Sequence, residues 1–522
     1  MTAQSDIAAG YATDGAAVEL GAVLVGGVVE PTARVRLPLA TLNRHGLVAG
    51  ATGTGKTKTL QLIAEQLSAA GVPVVMADVK GDLSGLSRPG EGGERVTARA
   101  AETGDDWRPQ ACPVQFLSLG TGGAAVPVRA TVTSFGPILL SKVLGLNDTQ
   151  ESTLGLIFHW ADTRGLPLLD VKDLRSVIGH LTSDEGKADL KGLGGVSPAT
   201  AGVILRSLVN LEAQGGDTFF GEPELDPRDL MRVVDGRGVV SLLEPAELQA
   251  RPALFSTFLM WLLAELFEVL PEEGDLDQPK LVFFFDEAHL LFADASKAFL
   301  ERITQTVKLI RSKGVGVFFC TQLPTDVPNA VLSQLGARVQ HALRAFTPED
   351  QAALAKTVKT YPTTPHYELD EALRSLGIGE AVVTVLSEKG APTPVAWTRL
   401  RAPRSLMDTI GSDAIGQAAE ASELHGKYAG TVDRESAYEK LAAKVAPPPE
   451  TPPPPPEDPA EPEDRAEPED RAEPGRRAER EEPGVVAQVL GNPAVKSFFR
   501  SAASALGREI TRGLFGTSRK RR

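Results

Sequence analysis

The chain carries a glycine-rich octapeptide, GATGTGKT, directly after the short apolar run Gly46–Ala49. Its spacing, G-x-x-x-x-G-K-[ST], is that of a phosphate-binding loop between a strand and a helix. Its glycines let successive backbone N–H groups point at one anionic centre, and the following helix adds its positive N-terminal end. Lys56 can reach the β- and γ-phosphates, and Thr57 can ligate Mg²⁺. The residues predicted to bind a nucleoside triphosphate are Gly50, Ala51, Thr52, Gly53, Thr54, Gly55, Lys56, Thr57 and Lys58.

A second pattern that could do chemistry is the acidic pair Asp286-Glu287, which directly follows the apolar run Leu281–Phe285. Hydrolysis at a phosphate loop needs a carboxylate near Mg²⁺ and a group that orients the attacking water. We expect Asp286 to ligate Mg²⁺ together with Thr57, and Glu287 to act as the general base. We expect His289 to be a local structural partner of the pair rather than a catalyst.

Polar residues also end the next apolar run, 316–320, where Thr321 and Gln322 follow. In a phosphate-loop ATPase with an additional strand beside the acidic one, such a residue can reach the γ-phosphate. Gln322 is the candidate sensor and Thr321 the alternative. A strand end that simply faces solvent explains the two residues equally well.

Three arginines and the charged segment 78–82 lie near predicted strands, and each could have a role in the site or only a structural one. Arg311, Arg338 and Arg344 flank the later strands, and an arginine usually meets the charge that develops on the γ-phosphate. Each also fits an ordinary surface or ion-paired arginine. The segment 78–82, DVKGD, follows the second strand at the sheet edge where α/β proteins bind ligands. Its Asp78, Lys80 and Asp82 could contact substrate, or the segment could only form a turn.

The motifs together resemble a known family. GATGTGKT, DVKGD, FFFDEAHLLF, RSKGVGVFFCTQLP and LSQLGARVQHALRAFTPEDQ are similar to those of the HerA/FtsK class of ring-forming ATPases. Within that class they look like the bacterial HerA-like helicases of the YjgR type. The resemblance covers most of 20–430 and implies a RecA-like core, hexamers, and ATP sites between subunits.

The resemblance also implies roles for single residues and partners. Lys56, Thr57, Asp286, Glu287 and Gln322 fall on matching motif positions. Arg311 matches the family's arginine before the glutamine-bearing strand. This match suggests that Arg311 contacts a phosphate held by its own subunit. The implied ligands are ATP and Mg²⁺, and the implied partners are DNA and a nuclease or other protein.

Composition sets limits on where the protein works. The chain has 522 residues, of which 42% are hydrophobic, and two cysteines, Cys112 and Cys320, at the ends of strand-like runs. We expect both cysteines to be small core residues. The most apolar stretch, 253–270, contains Glu265 and Glu268 and is predicted to be a buried helix, not a membrane span. With no secretory signal pattern at the N-terminus, a cytoplasmic location is expected.

Apolar runs of strand length alternate with helical periodicity, which predicts a mainly parallel α/β sheet. The resemblance implies that this sheet is the RecA-like core of a phosphate-loop ATPase. The predicted strands are 47–49, 74–77, 113–118, 238–243, 281–285, 315–320, 338–343 and 381–386. The predicted organisation is a small N-terminal β element (1–45), a first core part (46–134), a mostly helical insertion (135–235), a second core part (236–430), a connector (431–445), a disordered Pro/acidic linker (446–484) and a basic amphipathic C-terminal helix (485–522).

Charge is distributed unevenly along the chain, whose formal net charge is −14. Residues 446–484 hold 13 acidic and 5 basic side chains, and residues 485–522 hold 8 basic and 1 acidic. The Pro-rich linker cannot bury enough apolar surface to fold. The remaining acidic body weighs against a broad nucleic-acid surface, which is usually basic.

Three functions remain open from the sequence. The motif order favours an oligomeric ATPase that translocates on DNA. The acidic body and tethered tail fit an ATP-dependent remodeller or scaffold acting on protein partners. A slow, nucleotide-dependent assembly switch is the third. ATP hydrolysis distinguishes the three functions. DNA should stimulate the translocating ATPase, a protein should stimulate the remodeller, and the switch should turn over slowly while its assembly state changes.

Overall fold

A twelve-stranded sheet forms the centre of the part of the chain that the structure describes. The structure is a computed structural model that describes residues 2–445 except 79–80, 121, 191–193, 214, 217, 245–251, 275, 294 and 388–389. The sheet strands are β1 (Ala17–Val25), β2 (Val28–Pro38), β3 (Gly46–Ala49), β4 (Val74–Ala77), β5 (Val114–Leu119), β6 (Val126–Val128), β9 (Val240–Glu244), β10 (Leu281–Phe285), β11 (Val315–Thr321), β12 (Ala337–Gln340), β13 (Glu380–Thr384) and β14 (Ala396–Leu400), and β7 (Val233–Val234) pairs with β8 (Arg237–Gly238) in a separate hairpin.

The strand order in the sheet is β2-β1-β14-β13-β12-β3-β11-β10-β4-β9-β5-β6. Every neighbouring pair from β12 to β6 is parallel. The strands β13, β14, β1 and β2 extend the other side as antiparallel neighbours. The predicted mainly parallel α/β sheet is therefore confirmed, and the carboxyl ends of its parallel strands meet at one edge.

Helices cover both faces of this sheet. They are α1 (Ala3–Ala9), α2 (Lys56–Ala69), α3 (Glu94–Thr103), α4 (Val132–Leu144), α5 (Asp148–Thr163), α6 (Val171–Thr182), α7 (Asp184–Asp189), α8 (Pro198–Glu212), α9 (Pro252–Val269), α10 (His289–Phe292), α11 (Lys297–Ile310), α12 (Asn329–Leu332), α13 (Pro348–Val358), α14 (Leu369–Ser375), α15 (Ser412–Glu420), α16 (Glu423–Tyr428) and α17 (Ala437–Val445). No helix among the described residues is long and apolar enough to cross a membrane.

Burial on both faces explains why the central strands are continuous apolar runs. In β10, Phe283 and Phe285 belong to the hydrophobic cluster on one face, and Val282 and Phe284 belong to the cluster on the other. Side chains alternate between the faces of a strand, so a strand covered on both sides favours apolar residues at every position. The first polar residue after β10 is Asp286, directly beyond the end of the strand.

The predicted elements match the structure closely where apolar runs are short and bounded. Strands β4 and β10 have the predicted limits. Strand β12 ends at Gln340, three residues before the predicted limit, and the chain beyond it runs beside the phosphate loop. The N-terminal strands β1 and β2 join the main sheet through β14. The predicted linker and C-terminal helix lie outside the described residues.

The predicted insertion, 135–235, holds most of α4 and all of α5 to α8. Their apolar residues share one hydrophobic cluster with α9 and one face of the sheet. The segment predicted as a connector contains α17, which packs against α6: the Tyr438 N–H donates to Asp173 Oδ1 at 2.8 Å, and the Ala437 N–H donates to the Pro167 carbonyl at 3.0 Å. These contacts describe the packing, and the boundary of the insertion as a separate domain stays a prediction.

Candidate nucleotide-binding site

The phosphate loop connects β3 to α2, as its sequence predicts, and its backbone requires glycine. Gly53 and Gly55 have φ of 79° and 110°, a region that side-chain-bearing residues rarely adopt. A Cβ on Gly50 would lie 2.5 Å from the Cβ of His341. Gly55 is the N-cap residue of α2, so the loop ends at the positive end of that helix. The loop has the shape of a cradle for an anion.

The charged side chains at the start of α2 point in two directions. The Lys56 ammonium donates to the Gly50 carbonyl at 2.7 Å and the Ala51 carbonyl at 3.3 Å, so it curls back over the loop. Lys58 instead donates to Gln61 Oε1 at 3.2 Å, one turn further along the helix. Burial lowers the pKa of Lys58, although nearby carboxylates oppose the shift. Lys56 is therefore the lysine placed for phosphate.

Two neighbouring strands hold the phosphate loop from either side. The Gly50 N–H donates to the carbonyl of Thr321, at the end of β11, at 3.2 Å. The Ala51 N–H donates to the carbonyl of Ala342, just past β12, at 2.8 Å. The loop position is thus fixed by the ends of both parallel neighbours of β3.

The acidic pair lies at the carboxyl end of β10. Asp286 Oδ1 accepts the N–H of Glu287 at 2.9 Å, and Glu287 has a φ of 49° in the left-handed region. A non-glycine residue held there stores strain of the kind found at functional sites. His289 Nδ1 lies 3.4 Å from Glu287 Oε2, which confirms that His289 contacts this pair.

Cys320 lies in β11, between the strand that leads into the phosphate loop and the strand that leads into the acidic pair. Cys320, in β11, is buried, and burial is the main reason that the pKa of its thiol is raised well above the usual range. The negative charge of Asp286 and Glu287 raises that pKa further, and the positive charge of Lys56 opposes it. Because β3 and β10 are both parallel neighbours of β11, the phosphate loop and the acidic pair begin at the same edge of the sheet. The Thr57 hydroxyl and the Asp286 carboxylate are oxygen donors of the type that Mg²⁺ prefers.

The end of β11 separates the two sensor candidates. The Thr321 hydroxyl is buried and donates to Asp326 Oδ2 at 2.6 Å, so it is already used within the loop that follows. Gln322 is exposed and comes directly after the residue whose carbonyl holds the phosphate loop. This arrangement favours Gln322 over Thr321 as the residue available to a γ-phosphate.

Arg311 lies at the wrong edge of the sheet for its predicted role. It follows α11 and precedes the first residue of β11, Val315, whereas the phosphate loop lies beyond the other end of that strand. Seven strand residues separate the two ends by roughly 20 Å. Arg311 instead lies near His45, whose pKa is lowered to about 4 mainly by burial and further by the Arg311 charge. The predicted contact of Arg311 with a phosphate in its own subunit is therefore corrected.

The other two arginines lie on either side of the end of β12. Arg338 is inside the strand, opposite Leu47, and donates to the Thr360 carbonyl at 3.3 Å. Arg344 is exposed on the loop that follows, two residues beyond Ala342, which binds the phosphate loop. Of the three arginines considered, Arg344 is the one at the edge of the phosphate loop.

Asp78, directly after β4, binds the backbone of the chain that follows it. Asp78 Oδ2 accepts the Leu83 N–H at 3.2 Å, and the side chain is only 2% exposed. Burial raises the pKa of Asp78 to about 7, with further contributions from the charges of Asp82 and Glu244. These contacts favour a structural role for Asp78, while Lys80 lies outside the described residues.

His341 is a site residue that sequence reasoning missed. It is fully buried against the phosphate loop, and its Nε2 lies 2.9 Å from the Thr59 hydroxyl of α2. Burial, together with the charge of Lys56, lowers the pKa of His341 to about 4. The imidazole is therefore neutral at pH 7 and joins the end of β12 to the phosphate-loop helix. The only signal was a histidine inside the predicted strand 338–343.

Comparison with solved structures supports the fold. The plasmid coupling protein TrwB in complex with ADP and Mg²⁺ matches with a TM-score of 0.51 and 15% identity, over 77% of this chain and 97% of that chain. TrwB in complex with the ATP analogue ADPNP matches with a TM-score of 0.51 and 16% identity, over 78% and 94%. VirB4 of Thermoanaerobacter pseudethanolicus matches with a TM-score of 0.47 and 16% identity, over 75% and 98%.

Comparison at the level of sequence identifies the family. No curated protein matches the chain. The model of the family described as "Helicase HerA-like C-terminal" matches residues 26–522, which is nearly the whole chain. Together with a RecA-like fold similar to that of TrwB, this match confirms the resemblance inferred from the motifs. The chain therefore belongs to the HerA-like family of phosphate-loop ATPases.

Proposed function

We propose that the protein hydrolyses ATP in a Mg²⁺-dependent reaction at the phosphate loop. The observation that carries this proposal is that the phosphate loop and the acidic pair Asp286-Glu287 follow β3 and β10, the two strands that flank β11, with Lys56 curled over the loop. This arrangement has the groups that phosphoryl hydrolysis needs. TrwB, which shares the fold, is described in complexes with ADP and Mg²⁺ and with an ATP analogue, which supports the ligand class.

The proposed roles follow from the position of each side chain. Lys56 binds the β- and γ-phosphates, and Thr57 and Asp286 hold Mg²⁺, which neutralises phosphate charge when bound. Glu287 orients the attacking water and accepts its proton. Gln322 contacts the γ-phosphate, so that cleavage changes the contacts at the end of β11.

We infer further that hydrolysis drives a ring of subunits along DNA. Membership in a helicase-like family supports this, and TrwB is described as a bacterial conjugative coupling protein. Hexamers, a nuclease or other protein partner, and a cytoplasmic location belong to the same proposal. Because the chain is acidic overall, we place the DNA-contacting surface in a local region, such as a channel, where positive charge is concentrated.

Steady-state ATP hydrolysis, measured with and without single- and double-stranded DNA, tests this proposal. We expect DNA to raise turnover of the wild type, and we expect no stimulation in Glu287→Gln. Turnover that no nucleic acid changes would contradict the DNA motor and favour an ATPase acting on protein partners. Slow turnover accompanied by nucleotide-dependent changes in mass would favour the assembly switch.

A further inference from the structure

The loop before β13, residues 377–379, places an apolar side chain in solvent beside the phosphate loop. Ile378 is 75% exposed, whereas most isoleucines are buried. The next residue, Gly379, is adjacent to the phosphate loop, because its N–H donates to the Thr54 carbonyl at 3.4 Å. Packing among the residues that the structure describes does not account for the position of the Ile378 side chain.

The same loop is held firmly by charged side chains. Arg99 donates to the carbonyls of Ile378 and Gly379 at 3.4 and 3.3 Å. The Glu380 carboxylate accepts the Gly377 N–H at 2.9 Å. Gly379 has a φ of 73°, and a Cβ there would lie 2.6 Å from Arg99 Nη1. The exposed isoleucine therefore stands on a rigid, pre-organised loop, which reduces the entropic cost of binding a ligand.

The order of the strands sets the direction in which a bound nucleotide points. Strand β3, which carries the phosphate loop, lies between β11 and β12. Asp286 and Gln322 follow β10 and β11, so the terminal phosphate belongs on that side. The nucleoside must extend from the other end of the phosphate chain, toward β12 and β13. Ile378, at the start of β13, is on that side.

We propose that Ile378 is the apolar contact for the base of the nucleotide. Its side chain packs against the flat face of the base, so that the area left exposed in the free protein is buried in the complex. A contact of this kind contributes affinity for the nucleoside and none for the phosphates. The inference rests on the proposed ATP site, because it takes the direction of the nucleotide from the phosphate-binding residues.

Titration calorimetry with two ligands, ADP and inorganic tripolyphosphate, tests this contact. Tripolyphosphate offers phosphate groups without a base. In Ile378→Ala we expect ADP binding to weaken about 3- to 10-fold, from the lost apolar contact, and tripolyphosphate binding to stay unchanged. The matched control is Val28→Ala, which truncates a 62% exposed aliphatic residue of β2 and should change neither affinity.

The outcomes separate this inference from the proposed function. If the wild type binds neither ligand, the proposed nucleotide site is wrong, and the proposed base contact is wrong as well. If the wild type binds both, an unchanged ADP affinity in Ile378→Ala overturns the base contact alone. Equal weakening of both ligands would also overturn it, because the residue would then act on the phosphate loop. The melting temperature of Ile378→Ala should match that of the wild type, since the side chain is exposed.

Discussion

Arg344 and Arg311 lie near opposite ends of the parallel strands, so we expect mutation of Arg344, but not of Arg311, to lower ATP turnover. Arg344 is exposed beside the phosphate loop, so we expect Arg344→Ala to lower ATP turnover about 10-fold or more, through loss of charge that stabilises the transition state. Arg311 is roughly 20 Å away along β11, so Arg311→Ala should leave the turnover of isolated subunits unchanged. Single-turnover hydrolysis at low protein concentration, where subunits are separate, measures both.

A loss of activity in Arg311→Ala under those conditions would contradict the placement of Arg311. The substitution Lys308→Ala provides the control, because Lys308 is an exposed basic residue on the helix before Arg311. Equal activity of Arg344→Ala and wild type would remove Arg344 from the candidate site.

His341 predicts a pH dependence of stability. Its pKa is about 4 in the folded protein and 6.5 ordinarily, so the folded state keeps it neutral. Unfolding therefore takes up a proton as the pH falls below 6.5, and the stability that depends on the neutral form is lost between pH 6.5 and 4. From pH 7 to pH 4.5 the free energy of unfolding of the wild type should decrease. In His341→Gln we expect that decrease to be smaller by about 2–3 kcal/mol. Urea unfolding at the two pH values measures this difference.

Replacement of an exposed histidine is the comparison for that measurement. His159→Gln, on the surface of α5, should behave as the wild type does. The same loss of stability in His341→Gln and wild type would show that the imidazole titrates normally. Because buried His45 titrates in the same direction, part of the acid sensitivity should persist in His341→Gln.

At the residue scale, the sequence was informative where residue type and local order define the chemistry. The phosphate-loop spacing placed Lys56 next to the glycine cradle, and an acidic pair after an apolar run placed Asp286 at a strand end. The predicted phosphate contact of Arg311 was wrong, because a motif gives the order of residues and not the edge of the sheet on which each one lies. His341 was missed because its partner, Thr59, is distant in sequence.

At the element scale, the chain beyond β14 anchors α2. The Glu65 carboxylate accepts the N–H of Arg404 at 2.8 Å, and the N–H and hydroxyl of Ser405 at 3.1 and 2.9 Å. Gln61, one turn earlier, donates to the Ser405 hydroxyl at 2.8 Å. The helix that begins at the phosphate loop is thus tied to a segment that follows it by more than three hundred residues.

This anchor predicts a second pH effect, opposite in sign to that of His341. Burial raises the pKa of Glu65 to about 7 from 4.5, so the folded state favours the protonated carboxyl. The associated stability is present below pH 4.5 and is lost as the pH rises to 7. From pH 5 to pH 8 the free energy of unfolding of the wild type should decrease through this group. In Glu65→Gln we expect that decrease to be smaller by about 2–3 kcal/mol.

Urea unfolding at pH 5 and 8 checks this effect, with Glu301→Gln as the control because Glu301 is 69% exposed on α11. If Glu65→Gln and the wild type lose equal stability, the carboxyl is already ionised at pH 5. A similar slope in Glu301→Gln would assign the effect to net charge instead of to burial.

Elements bounded by sharp changes in polarity could be predicted from sequence, and those defined by distant pairing could not. Strands β4 and β10 are short apolar runs that end at acidic residues, which fixed their limits. The antiparallel edge is different: β1 pairs with β14 across most of the chain, for example at Gly21 and Leu400. A local pattern contains no information about such a partner, so the N-terminal strands could be predicted as strands but not as part of the main sheet.

At the scale of the whole molecule, one edge of the sheet collects the groups proposed to act on ATP. The phosphate loop, the acidic pair after β10 and the exposed glutamine after β11 come from separate parts of the sequence. Parallel strands bring them together, because the carboxyl ends of such strands share an edge. The family match is to the HerA-like phosphate-loop ATPases, and the fold is similar to that of TrwB.

Steady-state hydrolysis of ATP with Mg²⁺ by the wild type and Glu287→Gln tests the central claim most directly, with ATP binding measured in parallel. Glu301→Gln, an exposed glutamate, is the matched control. The account predicts that Glu287→Gln binds ATP as the wild type does but turns it over about 10²- to 10⁴-fold more slowly, as expected for loss of a general base. Undiminished turnover in Glu287→Gln, or a wild type that does not hydrolyse ATP, would contradict the account.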